Sequence, residues 1–181
     1  MRRNISFIFE IFKIFIIALA IVIPIRYFLF QPFVVKGQSM EPNFHNGDYL
    51  IIDELSYRFR EPQRGEIIVF KSPIDPFSCY IKRIIGLPGE TIEIKNGVVK
   101  VYTKHGPMVL NEKSYLPDDM KTPGDLKISL PEDHYFVLGD NRFQSYDSRK
   151  FGPLPRKNIV GRVYLRAWPL YLSAKIEVPV Y

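Results

Sequence analysis

The sequence predicts a mainly β protein, an antiparallel β-sheet domain over residues 32–181 behind one N-terminal transmembrane helix within residues 1–31. Three observations carry this. Short runs of β-forming residues recur between turn residues after Pro32. Asn96-Gly97 joins two alternating runs in the manner of a type I′ hairpin. Near the N-terminus, Ile14–Ile25 reads IFIIALAIVIPI without a charge. Aromatic content of 14% and 15 prolines favour strands and turns over a helical bundle, while 46% hydrophobic and 24% charged residues exclude a disordered chain.

From Phe7 to Phe30 the chain is apolar apart from Glu10, Lys13, Pro24, Arg26 and Tyr27. A spanning helix needs about 20 mostly apolar residues and tolerates Lys or Arg near its ends, so this stretch qualifies. A cleavable secretory signal and a buried core helix compete with that reading. Ala18-Leu19-Ala20 fits a small-x-small cleavage pattern, but IVIPI and YFLF follow, and cleavage would leave an apolar stub. An uncleaved anchor is therefore expected. Arg2 and Arg3 on the near side against Arg26 and Lys36 on the far side weakly favour a cytoplasmic tip. The chain is then a single-pass protein of the cytoplasmic membrane with residues 32–181 on the extracytoplasmic side.

The net charge of +6 divides evenly. Residues 1–31 hold four basic residues and one acid, and the rest hold 21 and 18, so each part carries +3. No basic face for nucleic acid is implied. The single Cys79 excludes an internal disulfide framework and a Cys-x-x-Cys zinc site. Strands are expected at 49–52, 66–71, 80–85, 91–95, 98–103, 134–138 and 159–165. Residues 103–133, with Pro107, Pro117, Pro123 and Pro131, read as an excursion or flap.

Familiar catalytic patterns are missing. Gly37-Gln38-Ser39-Met40-Glu41 lacks the second glycine of a G-x-S-x-G elbow, and His45, His105 and His134 stand in no metal-ligand spacing. What stands out is Ser39, between Gly37 and Pro42, in a segment able to present a hydroxyl and a main-chain N–H from one bend. An ordinary turn serine is the competing reading. Lys82 lies in Tyr80-Ile81-Lys82-Arg83-Ile84-Ile85, where strand alternation sends one of two adjacent cations toward buried neighbours. A lysine there ordinarily snorkels or pairs with a carboxylate. Buried unpaired, it loses up to about 3–5 pKa units from about 10.4 and becomes a general base near neutrality. A neutral amine can take the proton of a serine without histidine or metal. A third cluster, GDNRFQSYDSRKFG at Gly139–Gly152, is dense in hydrogen-bonding groups and suits either a solvated loop or a support for a catalytic amine.

Taken in order, SMEP at 39–42, GDYLII at 47–52, RGEIIVF at 64–70, YIKRIIGLPGE at 80–90 and GDNRFQSYDSR at 139–149 resemble the boxes of type I signal peptidases. These are membrane-anchored Ser/Lys endopeptidases that remove signal peptides. The match spans Ser39 to about Trp168 and includes the preceding anchor. The resemblance implies an antiparallel β catalytic domain of signal-peptidase type, Ser39 as nucleophile, Lys82 as general base, and Ser145 as the hydroxyl that orients the lysine. Asp147 and Arg149 resemble the family's structural ion pair, with Asp140 and Asn141 in the same supporting loop. A substrate preprotein would lie extended between residues 33–37 and the Tyr80-Ile81 strand, its small residues held by Phe33, Val35, Met40, Phe44, Tyr80 and Ile81. No cofactor or metal is implied; the expected partners are signal peptides and the lipid bilayer, and the enzyme is expected to be a monomer. Gly37 stands where the Gram-negative-type pattern has a serine that assists the oxyanion, which leaves the Ser39 N–H and an unidentified second donor. Two other readings remain: a self-cleaving Ser/Lys protease of repressor type, which carries a DNA-binding module where this chain has an apolar segment, and a non-catalytic membrane-tethered β-domain that binds extracytoplasmic partners.

Overall fold

The computed structural model describes residues 9–20, 30–75, 77–179 and 181. Residues 9–20 form helix α1, exposed along its whole length, which sets aside a buried core helix. Among the described residues no helix is long and apolar enough to cross a membrane. Of the rest of the expected segment 1–31, residues 1–8 and 21–29 lie outside the described residues, and Phe30 and Gln31 belong to a strand rather than to the anchor.

Twelve strands follow: β1 Phe30–Val34, β2 Tyr49–Asp53, β3 Ile67–Lys71, β4 Cys79–Gly86, β5 Thr91–Lys95, β6 Val98–Thr103, β7 Gly106–Val109, β8 Leu126–Ser129, β9 His134–Leu138, β10 Leu154–Pro155, β11 Ile159–Trp168 and β12 Ala174–Lys175. They make an eight-stranded sheet in the order β1-β2-β11-β3-β4-β9-β10, with β12 on β11, and a four-stranded sheet in the order β7-β6-β5-β8. All the pairings are antiparallel. The expected mainly β architecture is present, and each expected strand has its counterpart. At the β5–β6 turn, Asn96 and Gly97 both have positive φ, 53° and 82°, as a type I′ hairpin requires.

The continuous apolar run of β3 has a physical cause. Ile67 and Val69 pack with Val35, Met40, Phe44, Leu50, Ile52, Ile81 and Val163, whereas Ile68 and Phe70 pack on the opposite side with Tyr57, Ile84, Tyr135, Val137 and Leu154. A strand buried on both faces has no reason to alternate. The smaller sheet has its own core of Ile92, Ile94, Val99 and Val101 against Ile85, Phe136 and Leu138. Residues 103–133 are thus more than a flap: β7 and β8 lie within them and complete this second sheet. Short β strands with few apolar positions escaped the sequence pattern because one of their faces is exposed.

Candidate active site

Ser39 sits in the turn that follows β1. Gly37 takes a φ of 89°, open to glycine and strained for other residues, and its N–H donates to Asn46 Oδ1 at 3.0 Å. Beyond the serine the chain coils back, with Asn43 N and Phe44 N both donating to Met40 O at 3.0 Å. Buried Met40 and Phe44 pin this coil to the core. From the other side Asn141 clamps it: its N–H donates to Ser39 O and its side-chain amide to Gln38 O, both at 3.1 Å.

β4 carries Lys82 to this serine. Lys82 Nζ lies 2.7 Å from Ser39 Oγ and 2.8 Å from Ile81 O, and the side chain is 3% exposed. Burial pulls the amine down to about 8, while the charges of Asp147 and Asp140 hold it partway up. No carboxylate forms a salt bridge with it among the described residues.

Alternation on β4 was expected to bury one of the two cations, and the structure buries both. Arg83 is also 3% exposed, but a bidentate pair with Asp140, at 2.9 and 2.7 Å, neutralises it. Its third donor reaches Gly65 O at 3.0 Å, and its guanidinium covers the Tyr115 ring. Asp140 accepts a further hydrogen bond from Asn43 Nδ2 at 2.8 Å, so one carboxylate ties the lysine's strand to the serine's coil. Asp147 accepts from Gly139 N–H at 3.0 Å and from Arg149 Nε and Nη2, each at 2.8 Å, and it caps the short helix α2, Ser148–Phe151. Burial raises its carboxyl, but the Arg149 bonds and charge outweigh this and bring it below the usual carboxylate range.

Ser145, expected to orient the lysine, makes no hydrogen bond to Lys82 among the described residues. Lys82 Nζ bonds Ser39 and Ile81, and Ser145 Oγ is buried without a partner of hydrogen-bond geometry among the described residues, although it lies near enough to help keep Asp147 ionised. The hydroxyl packs against Gly139 instead. A Cβ on Gly139 would stand 2.2 Å from Ser145 Oγ and 2.4 Å from Ser39 O, so only glycine fits. Sequence reasoning missed Gly139, whose one signal was its position at the end of a strand before Asp-Asn. It also missed Arg142, which is buried, donates to Gly139 O at 3.1 Å, and pairs with Glu112 of the second sheet's loop.

A cleft of about 560 Å³ opens at Ser39 and Lys82. One wall is the edge of β1, unpaired among the described residues, with Phe33, Val34 and Lys36; the other runs from Phe77 to Ile81. β4 pairs with β9 only from Arg83 onward, so Cys79–Lys82 has an open edge facing the cleft. Of the expected substrate contacts, Phe33, Tyr80 and Ile81 line the cleft. Val35, Met40 and Phe44 do not: all three are committed to the core cluster beneath β2 and β3.

This combination, a serine hydroxyl against a buried amine between two open strand edges, occurs in a chain whose residues 8–168 match the family model described as signal peptidase, peptidase S26. The chain belongs to the signal peptidase family. It is 40% identical over 167 residues to a probable signal peptidase I-2 of Synechocystis, covering 89% of this chain and 73% of that one. It is 38% identical over 174 residues to signal peptidase I P of Bacillus subtilis subsp. natto, covering 93% and 94%. With signal peptidase I of Bacillus caldolyticus it shares 40% identity over 162 residues, covering 84% and 87%. Membership in the signal peptidase family makes the chain a serine peptidase, hence a hydrolase.

Proposed function

We propose that this signal peptidase is anchored in the cytoplasmic membrane and removes signal peptides from exported preproteins after small-x-small sites, using Ser39 and Lys82. The observation that carries this reading is the 2.7 Å contact between Ser39 Oγ and an amine that burial brings to about 8. When the amine is neutral the hydroxyl donates to it. Ser39 Oγ then attacks the scissile carbonyl carbon as its proton passes to Lys82 Nζ. The oxyanion meets the Ser39 N–H. Breaking the C–N bond leaves an acyl ester on Ser39, and the Lys82 ammonium protonates the departing amine. Water attacks the ester, its proton going to Lys82 and on to Ser39 Oγ.

The open edges of β1 and of Cys79–Lys82 suit an extended substrate that pairs with both. Anchoring is supported by α1, which exposes Phe9, Phe12, Ile14, Phe15 and Ile17, a surface more suited to lipid than to water. It is also supported by Val34, Tyr49 and Trp168, exposed neighbours in one cross-strand row. One copy holds both Ser39 and Lys82, so a monomer suffices. The test is cleavage, by the detergent-purified full chain, of a preprotein whose signal peptide ends in Ala-x-Ala. Ser39→Ala and Lys82→Met should each abolish it, and a folded Lys82→Met variant cleaving at the normal rate refutes the mechanism.

A further inference from the structure

The β3–β4 loop displays two large apolar side chains in water: Phe77, which is 99% exposed at the rim of the cleft, and Ile74, which is 61% exposed. The loop is pinned from within. Ser72 N–H closes it onto Ser78 O at 2.9 Å, and Ser78 N–H donates to Asp75 O at 3.0 Å. The Asp75 carboxylate accepts from Phe77 N–H at 3.1 Å and from the Ser78 hydroxyl. The Ser72 hydroxyl, on a buried residue, accepts from the N–H groups of Ile74 and Asp75 at 3.3 Å. The polar groups turn inward and the apolar ones outward. A preorganised loop of this kind presents its side chains with little ordering left to do when something apolar arrives.

Phe77 also lines the same cleft as Ser39 and Lys82, at the far end of the open edge Cys79–Lys82. An extended chain beside that edge advances about 3.3 Å per residue, so it passes Phe77 roughly five residues from the cut. On the peptidase reading above, on which this inference rests, the residues before the cut fill this cleft. In a signal peptide, the apolar run ends just ahead of the small-x-small site. We propose that Phe77, on the loop that also exposes Ile74, is a specificity-determining contact for the end of that apolar run, about five or six residues before the cut.

The test uses the full chain in detergent and two preproteins alike except for Leu or Ser at the fifth and sixth positions before the cut. The wild type should prefer the Leu substrate by about tenfold in kcat/KM, mostly through KM, the low end of the range for an apolar contact because this one is one-sided. Phe77→Ser should bring the two substrates to within about twofold of each other. A preference that survives in Phe77→Ser, or in Ile74→Ser/Phe77→Ser, overturns the inference. So does equal use of both substrates by the wild type. A short peptide spanning only the Ala-x-Ala site separates the two readings: its cleavage by the wild type upholds the peptidase reading whatever the fate of Phe77, and its survival overturns both.

Discussion

Replacing Lys82 by Met tests the buried amine through stability and catalysis at once. In the unfolded chain the amine has a pKa of about 10.4, and in the folded protein burial brings it to about 8. Between these values the unfolded state carries more protons, so the wild type gains stability as pH rises. The cost of burying the ammonium is fully present below about pH 8 and is relieved progressively above it. Methionine cannot titrate, and the hydrogen bonds lost to Ser39 and Ile81 change little with pH. The difference in unfolding free energy between wild type and Lys82→Met should therefore shift by about 2.5 kcal/mol in favour of the wild type from pH 7 to pH 10. Urea unfolding of both full chains in the same detergent measures it, and other titrating groups cancel in the difference. The same amine sets the rate. About a tenth of Lys82 is neutral at pH 7, so wild-type kcat/KM should rise about tenfold from pH 6 to 7, about fivefold from 7 to 8, and then level. A stability difference that is flat with pH, or a kcat/KM that is still rising above about pH 9.5, would show that the lysine titrates like a solvated one and refute the reasoning.

Three further outcomes follow from the packing around the dyad. Gly139→Ala forces a methyl into the space of Ser145 Oγ and Ser39 O, and should lower kcat about 100-fold by moving the nucleophile, with a Tm loss detectable by circular dichroism; unchanged kcat would show that the turn relaxes freely. Asp140→Ala leaves the Arg83 charge buried and unpaired and should cost about 3–5 kcal/mol in denaturant unfolding, whereas Asp140→Asn, which keeps a hydrogen-bond acceptor for Arg83, should cost less. Asp147→Asn should be less stable than wild type at pH 7. Because the folded Asp147 carboxyl is held below its ordinary value, that deficit should shrink as pH falls below about 4 and the wild-type carboxyl protonates; a deficit constant from pH 7 to pH 3 contradicts the Arg149 pairing.

Much of the fold was legible because its signals are local. Asn96-Gly97 can close a type I′ turn with little help from the rest of the chain, and the apolar runs of β2, β3, β4 and β9 are long enough to mark strands. β7 and β8 were illegible for the opposite reason: each is a four-residue strand with alternate residues exposed, held by pairing with β6 and β5. In the site, Ser39 and Lys82 stood out as residue types in unusual settings. Phe77 carried no sequence signal, since a phenylalanine between Pro76 and Ser78 reads like any loop residue until its exposure and its place on the cleft are seen.

By itself the sequence determined seven of the strands, the apolar N-terminal stretch and the two residues able to do chemistry without histidine or metal, because each depends on composition and spacing within a few neighbouring residues. Tertiary structure decided which side chains are free to act. It placed Val35, Met40 and Phe44 in the core rather than in the cleft, and it paired Arg83 with Asp140 while leaving the adjacent Lys82 to Ser39. Two neighbouring cations on one strand are alike in sequence. They part only when residues 57 positions away bring a carboxylate to one and leave the other desolvated beside a hydroxyl.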